Sequence, residues 1–187
     1  MPTWSTGSRP RRGFTLVELI VVLVIVATLA TMVIPRFAGS AQSAQLRENA
    51  DQLLVMARYA QNYAVTHRSA CRIVIDPQER RFGLEIQEDP LRRPDEFTVV
   101  KDGPAKPQTL GEGIGFGSLR VEHGPRGRDI GPSTIAFTPT GESDSAVVEI
   151  TNGRRTLSLV LIPSSGRATL VEGTVSRPAN DRRDLDA

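Results

Sequence analysis

Residues 12–34 read RGFTLVELIVVLVIVATLATMVI, and this stretch decides how the rest of the 187-residue chain is organised. From Phe14 to Ile34 there are 21 residues, of which only Thr15, Glu18, Thr28 and Thr31 are polar. As a helix rising about 1.5 Å per residue, the run is about 30 Å long, the thickness of a bilayer's hydrocarbon core. Fourteen of its residues are Val, Ile, Leu or Phe. At roughly −0.4 kcal/mol each they favour insertion by about 6 kcal/mol, against a cost below about 3 kcal/mol for one acid near the helix end. The sequence therefore predicts a single membrane-spanning helix over 14–34 in spite of Glu18.

Arg9, Arg11 and Arg12 precede the run, and only Arg36 follows it closely. By the positive-inside rule this predicts a cytoplasmic N-terminus and a body beyond the inner membrane. A secretory signal peptide has a shorter apolar region ending in small residues, whereas this run ends in Met32-Val33-Ile34-Pro35-Arg36-Phe37. A buried soluble helix fits no better, because a domain this small cannot cover such a helix on every face.

The formal net charge is +2, and residues 1–13 carry three arginines and no acid. Removing those three from 23 leaves 20 basic residues against 21 acidic, a charge-balanced body that disfavours nucleic acid as a partner. The length allows one domain of ordinary size. Cys71 is the only cysteine, which excludes an intramolecular disulfide. His67 lies one helical turn before it, but the favoured expectation is a small, half-buried thiol at a helix end.

Pro35 would kink a helix, or end one. The helical pattern resumes at once, with Leu46, Ala50, Leu53, Leu54, Ala57, Ala60 and Ala64 at spacings of three and four. One kinked helix from about Phe14 to about Thr66 is expected, its first half in lipid and its second on a domain. From Cys71 the period becomes two: Ile73 and Ile75, then Phe82, Leu84 and Ile86, flank the turn Asp76-Pro77-Gln78-Glu79-Arg80 and read as a hairpin. Further strands are expected at 97–100, 135–138, 147–151, 156–162 and 168–171. Asn152-Gly153 reads as a two-residue hairpin turn.

Gly13-Phe14-Thr15-Leu16-Val17-Glu18, after a short basic leader and before an unbroken apolar run, resembles the prepilin-type (class III) signal of type IV pilins, type II secretion pseudopilins and competence pilins. The resemblance implies that a prepilin peptidase, a membrane aspartyl enzyme, cuts between Gly13 and Phe14 and N-methylates Phe14. It also implies that Glu18 pairs with a neighbouring subunit's new amine during assembly. Physical chemistry gives the motif sense: glycine lets a peptidase approach the backbone closely, and a carboxylate one turn into the membrane needs a cationic partner. Thr134-Ile135-Ala136-Phe137-Thr138-Pro139-Thr140-Gly141 and Pro163-Ser164-Ser165-Gly166-Arg167-Ala168 resemble the C-terminal part of GspH/FimT-type pseudopilins, where an F-x-P-x-G turn and a G-R-A-like turn frame the last hairpin.

The remaining features read as structure. The Gly- and Pro-rich stretch 102–132 reads as loops, with one strand near Gly117–Val121. Its Gly111–Gly117 segment lacks a phosphate loop's lysine and reads as a flexible linker. Glu142-Ser143-Asp144 reads as a solvated turn rather than a calcium site. Gly124-Pro125-Arg126-Gly127-Arg128 and Gly153-Arg154-Arg155 are basic loops of the kind through which some competence pilins bind DNA, a reading that the balanced body disfavours.

The organisation expected is a leader (1–13), a transmembrane helix (14–34), its amphipathic continuation (35–67), a β-rich head (68–172) and a disordered tail (173–187). The fold class is α+β, a long N-terminal helix followed by an antiparallel β-sheet domain. The leading function is a structural minor pseudopilin of a type II secretion system, with no catalytic residues, metal or cofactor. Its expected partners are prepilin peptidase, other pseudopilins or pilins, the inner-membrane assembly platform and the membrane itself. A minor pilin of a type IV pilus or DNA-uptake machine remains open, and a membrane-tethered enzyme stands third.

Overall fold

The computed structural model describes residues 14–124, 131 and 133–176, and over residues 30–40 the backbone alone. The expected leader, the Pro125–Arg128 part of the first basic loop and most of the expected tail lie outside the described residues, as does the side chain of Pro35 with its expected kink. The chain divides into two compact units, Met1–Ser40 and Ala41–Ala187.

One helix, α1 (Leu16–His67), runs through both units and is assigned without a break at Pro35. Its second half is buried where the spacing predicts. Leu46, Ala50, Leu53, Ala57, Ala60 and Ala64 form the stripe, and Met56, absent from that expectation, joins them. The helix stops at Arg68, held at φ 51°, with Ser69 N–H donating to Ala64 C=O at 3.2 Å. That bond closes the last turn in the way glycine usually does.

Among the described residues nine strands follow in two antiparallel sheets, where the sequence predicts one sheet domain. Sheet A has the order β3-β2-β1-β6, with β4 also pairing β2: β1 (Cys71–Asp76), β2 (Arg81–Gln87), β3 (Phe97–Val99), β4 (Gln108–Thr109) and β6 (Thr134–Phe137). Sheet B has the order β5-β7-β8-β9: β5 (Gly115–Glu122), β7 (Ser145–Thr151), β8 (Thr156–Ile162) and β9 (Arg167–Glu172). One core joins the α1 stripe to Cys71, Ile73, Phe82 and Leu84 of sheet A and to Val148, Ile150, Leu159 and Leu161 of sheet B. On the other face of sheet B, Val147, Val160 and Ile162 form a second cluster, packed by Val171 and Val175. Sheet B is thus covered on both sides, which explains the unbroken apolar run of β8.

Four local expectations are corrected. The β7–β8 turn is four residues long, because Thr151 pairs with Thr156 and Asn152 N–H donates to Arg155 C=O. Asn152 Oδ1 accepts the N–H of Arg154 and of Arg155, and only Gly153 takes a positive φ, 81°. The asparagine thus caps a wider loop instead of entering a two-residue turn. Cys71 is not at a helix end but opens β1, 1% exposed, its Sγ bonded to Ala60 C=O at 3.0 Å. The 102–132 stretch contributes a 3-10 turn (Gly103–Ala105), β4 and all eight residues of β5. Gly111–Gly117 is docked rather than free: Gly111 N–H donates to Asn49 Oδ1 on α1 at 3.3 Å, and Leu110 and Ile114 on its two sides are buried.

The two turns that frame the last hairpin abut each other. Gly166 has φ 59°, and a Cβ there would lie 2.6 Å from Gly141 C=O, so the contact admits only glycine. Gln61 on α1 closes the same corner by donating to Ser165 C=O.

Truncating the central helix contact, Leu53→Ala, should lower the unfolding free energy by about 2–5 kcal/mol, and overfilling the alanine stripe, Ala57→Leu, by about 1–3 kcal/mol, both read from urea titrations of the detergent-solubilised chain. Burial pushes the Cys71 thiol up to about 12 from its ordinary 9.0. Its stabilisation is therefore complete below pH 9.0 and lost as pH rises toward about 12. An alkylating reagent should leave Cys71 unmodified at pH 8 until denaturant is added, and rapid modification of the folded chain would contradict this burial.

Candidate functional site

The residues that carry a charge or a break in the apolar run sit at the very start of α1. Thr15 is its N-cap: Oγ1 accepts the N–H of Glu18 at 3.2 Å, and its carbonyl accepts the N–H of Leu19 at 3.2 Å. Thr15-Leu16-Val17-Glu18 is the T-x-x-E spacing of a capping box, which sets the Glu18 carboxylate in the first turn beside the positive end of the helix dipole. The sequence carried this signal, but Thr15 was read there only as a polar interruption.

From Phe14 to Leu29 every residue is exposed in the isolated chain, Phe14 by 82% and Leu16 by 74%. Within this apolar surface Thr28 Oγ1 bonds back to Val24 C=O at 2.7 Å, so its hydroxyl is satisfied inside its own helix. Glu18 is the one ionisable side chain among these residues. A helix apolar all round has no watery face, and it needs lipid or other helices about it. Among the described residues no helix is long and apolar enough to cross a membrane, the described apolar side chains ending at Leu29. Phe14 and Glu18 thus lie one turn apart at this helix end, and Gly13 lies outside the described residues.

In the head, the polar clusters are built to hold loops. Asp144, expected in a solvated turn, is 6% exposed. Its carboxylate accepts the N–H of Ala136 at 2.9 Å and of Gly124 at 3.1 Å, and His123 Nδ1 lies 2.9 Å from Oδ2. Two main-chain donors claim this acid, which is why it is not in water. His123 and Asp144 form no hydrolytic triad among the described residues, since the buried Nε2 of His123 has no hydrogen-bond partner. On β7, Glu149 is likewise buried, its Oε2 accepting Ser118 N–H inside the bulge of β5 and its Oε1 3.4 Å from Arg120. Arg120 in turn donates to Val175 C=O and holds the chain after β9.

His67 and Cys71 are not brought together as a reactive pair. The His67 ring stacks on Tyr63 with centroids 4.0 Å apart, while the Cys71 sulfur points at Ala60. Among the described residues no group of three or more His, Cys, Asp and Glu is placed to hold a metal. Arg154 and Arg155 are exposed on the β7–β8 loop.

A family model, the prokaryotic N-terminal methylation motif, matches residues 8–34. Comparison with curated proteins gave no match. Among solved structures the chain is similar to two of the minor pseudopilin EpsH from the type II secretion system of Vibrio cholerae. One has a TM-score of 0.50 at 12% identity and the other 0.49 at 15%, each match covering 70% of this chain and 97% of the other. At such identities the likeness is one of fold. The α+β architecture expected from the sequence is the one found, with the methylation motif at the N-terminus and a fold shared with the structure matched at a TM-score of 0.50.

Proposed function

We propose that the chain is a structural minor pseudopilin of a type II secretion system, made as a precursor and assembled into a short filament beyond the inner membrane. The observation that carries this reading is the segment 14–29, apolar and exposed on every side, opened by a capped turn that holds its one acid, and lying inside the methylation motif. On this reading residues 1–13 are removed, the cut falls between Gly13 and Phe14, and Phe14 becomes the N-methylated terminus. Residues 14–34 anchor the chain in the inner membrane with the N-terminus cytoplasmic, and Pro35 lets the axis bend where the helix leaves lipid.

Cleavage creates an ammonium at the positive end of a helix dipole, a position that disfavours it. In hydrocarbon that charge and the Glu18 carboxylate are each costly alone, and in a bundle of parallel helices one subunit's amine can meet another's acid. Glu18 thereby sets the stagger between subunits. The head works by packing and display rather than by catalysis.

Two measurements test the reading. Gly13→Phe should leave an uncut, membrane-bound precursor when the peptidase is present. Mass spectrometry that still finds a mature, methylated Phe14 terminus would sink the cleavage assignment. Glu18→Gln keeps the capping box and loses the charge, whereas Thr15→Ala keeps the charge and weakens the cap by about 1 kcal/mol. Glu18→Gln should be processed yet fail to enter filaments in cells, while Thr15→Ala should enter them. Normal incorporation of Glu18→Gln would refute the pairing role. Co-purification with subunits of a pilus or DNA-uptake machine in place of secretion pseudopilins would transfer the protein to that system.

A further inference from the structure

Sheet B ends on β9, which pairs with β8 on one side and with no strand on the other among the described residues. Gly173 N–H donates to Thr156 C=O. The alternation of an antiparallel ladder then turns the main chain of Arg167, Thr169 and Val171 toward β8 and leaves that of Ala168, Leu170 and Glu172 on the open side. The other sheet edges are blunted in the ways proteins use against strand addition. β5 is bulged between Phe116 and Leu119, β6 has four residues, and β3 and β4 have three and two. β9 is six residues long and regular, has no proline, and has an uncharged centre, Ala168-Thr169-Leu170-Val171.

Alongside this edge runs α1, and the space between them is a groove at both ends. Arg58, Gln61 and Asn62 face Arg167 and Thr169 across about 550 Å³, and Ser43 and Arg47 face Glu172 and Gly173 across about 420 Å³. Helical spacing sets half-buried Leu54 between Arg47 and Arg58 on the same face of α1. Leu170 is half-buried and pairs with Leu159, whose side chain is in the α1-facing core. The rim is basic: Arg47, Arg58, Arg154, Arg155 and Arg167 stand against Glu172, and of the five only Arg47 has an acidic partner, Asp51, among the described residues.

We propose that the open edge of β9 accepts an extended acidic segment of another protein as a fifth strand of sheet B. Its main chain would bond Ala168, Leu170 and Glu172, alternate apolar side chains would cover Leu54 and Leu170, and its carboxylates would meet the arginines. A second copy of this chain is a poor occupant. Of its strand acids, Asp76, Glu85 and Glu149 are already paired with arginines and Glu122 and Glu172 each stand singly at a strand end, while residues 177–187 carry three arginines to three aspartates.

The test uses the full chain in detergent micelles, with an octapeptide of alternating Glu and Val as the probe. Amide hydrogen exchange should slow about tenfold at Ala168, Leu170 and Glu172 and stay unchanged at Arg167, Thr169 and Val171. Reversing the exposed arginines in the double variant Arg58→Glu with Arg167→Glu should weaken binding about tenfold or more. Leu170→Pro removes one open-edge donor and spares the β8 ladder, so it should abolish binding. Should that variant unfold, the arginine pair still decides the matter. The proposal is overturned by no binding, by equal binding of a Lys–Val octapeptide, or by protection that appears on raising protein concentration alone, which assigns the edge to a second copy. Binding of a duplex oligonucleotide at these arginines without peptide-induced protection also overturns it.

Discussion

The closeness of two sheets to one helix is the constraint on which the head depends, and alanine makes it possible. Ala50, Ala57, Ala60 and Ala64 are fully buried and bring little apolar area of their own. Their smallness lets Ile73, Phe82, Leu159 and Leu161 supply the volume from the sheets, and lets the Cys71 sulfur reach a helix carbonyl. Because β1 reads its inward residues against the stripe and β8 divides its buried residues between the stripe and the second cluster, a one-residue slip would turn the buried set of β1 outward and exchange the two sets of β8. Helix and sheets therefore fix each other's register.

Buried carboxylates then hold what the apolar core does not reach. Asp144 and Glu149 lie close in the chain, one just before β7 and one within it, and each takes main-chain donors that strand pairing leaves free, Gly124 and Ala136 for Asp144 and Ser118 for Glu149. Asp144 ties the end of β5 to β6, and Glu149 fills the bulge of β5 and passes its hold through Arg120 to Val175. Such groups are costly to bury unpaired and specify geometry when satisfied.

Much of this was legible in the chain itself, for reasons that lie in range. The period-two runs of β1 and β2 and the three-four spacing of Leu46–Ala64 are local patterns, and they named the elements to within a residue or two. The start of α1 was legible because its chemistry is packed into the seven residues Arg12–Glu18. What escaped depends on partners distant in sequence. β4 is two residues long and exists only because Arg81 and Phe82 lie opposite it. Asp144 looked solvated because its donors, Gly124 and Ala136, sit 20 and 8 residues away. The division into two sheets and the open side of β9 follow from strand order, which no single strand's pattern encodes. Met56 escaped for a smaller reason, since it broadens the α1 stripe rather than continuing its narrow spacing.

The cap at Thr15 bears on the order in which the N-terminus is made. The Glu18 amide, in the first turn, finds its side-chain acceptor in Thr15, on the Phe14 side of the Gly13–Phe14 bond. On the proposed reading, cutting that bond would therefore leave this cap in place. Processing on that reading would put a positive charge where a neutral amide stood and keep the capped turn, so the same helix end would wait in a membrane as a stored part and become a coupling element in a single hydrolysis.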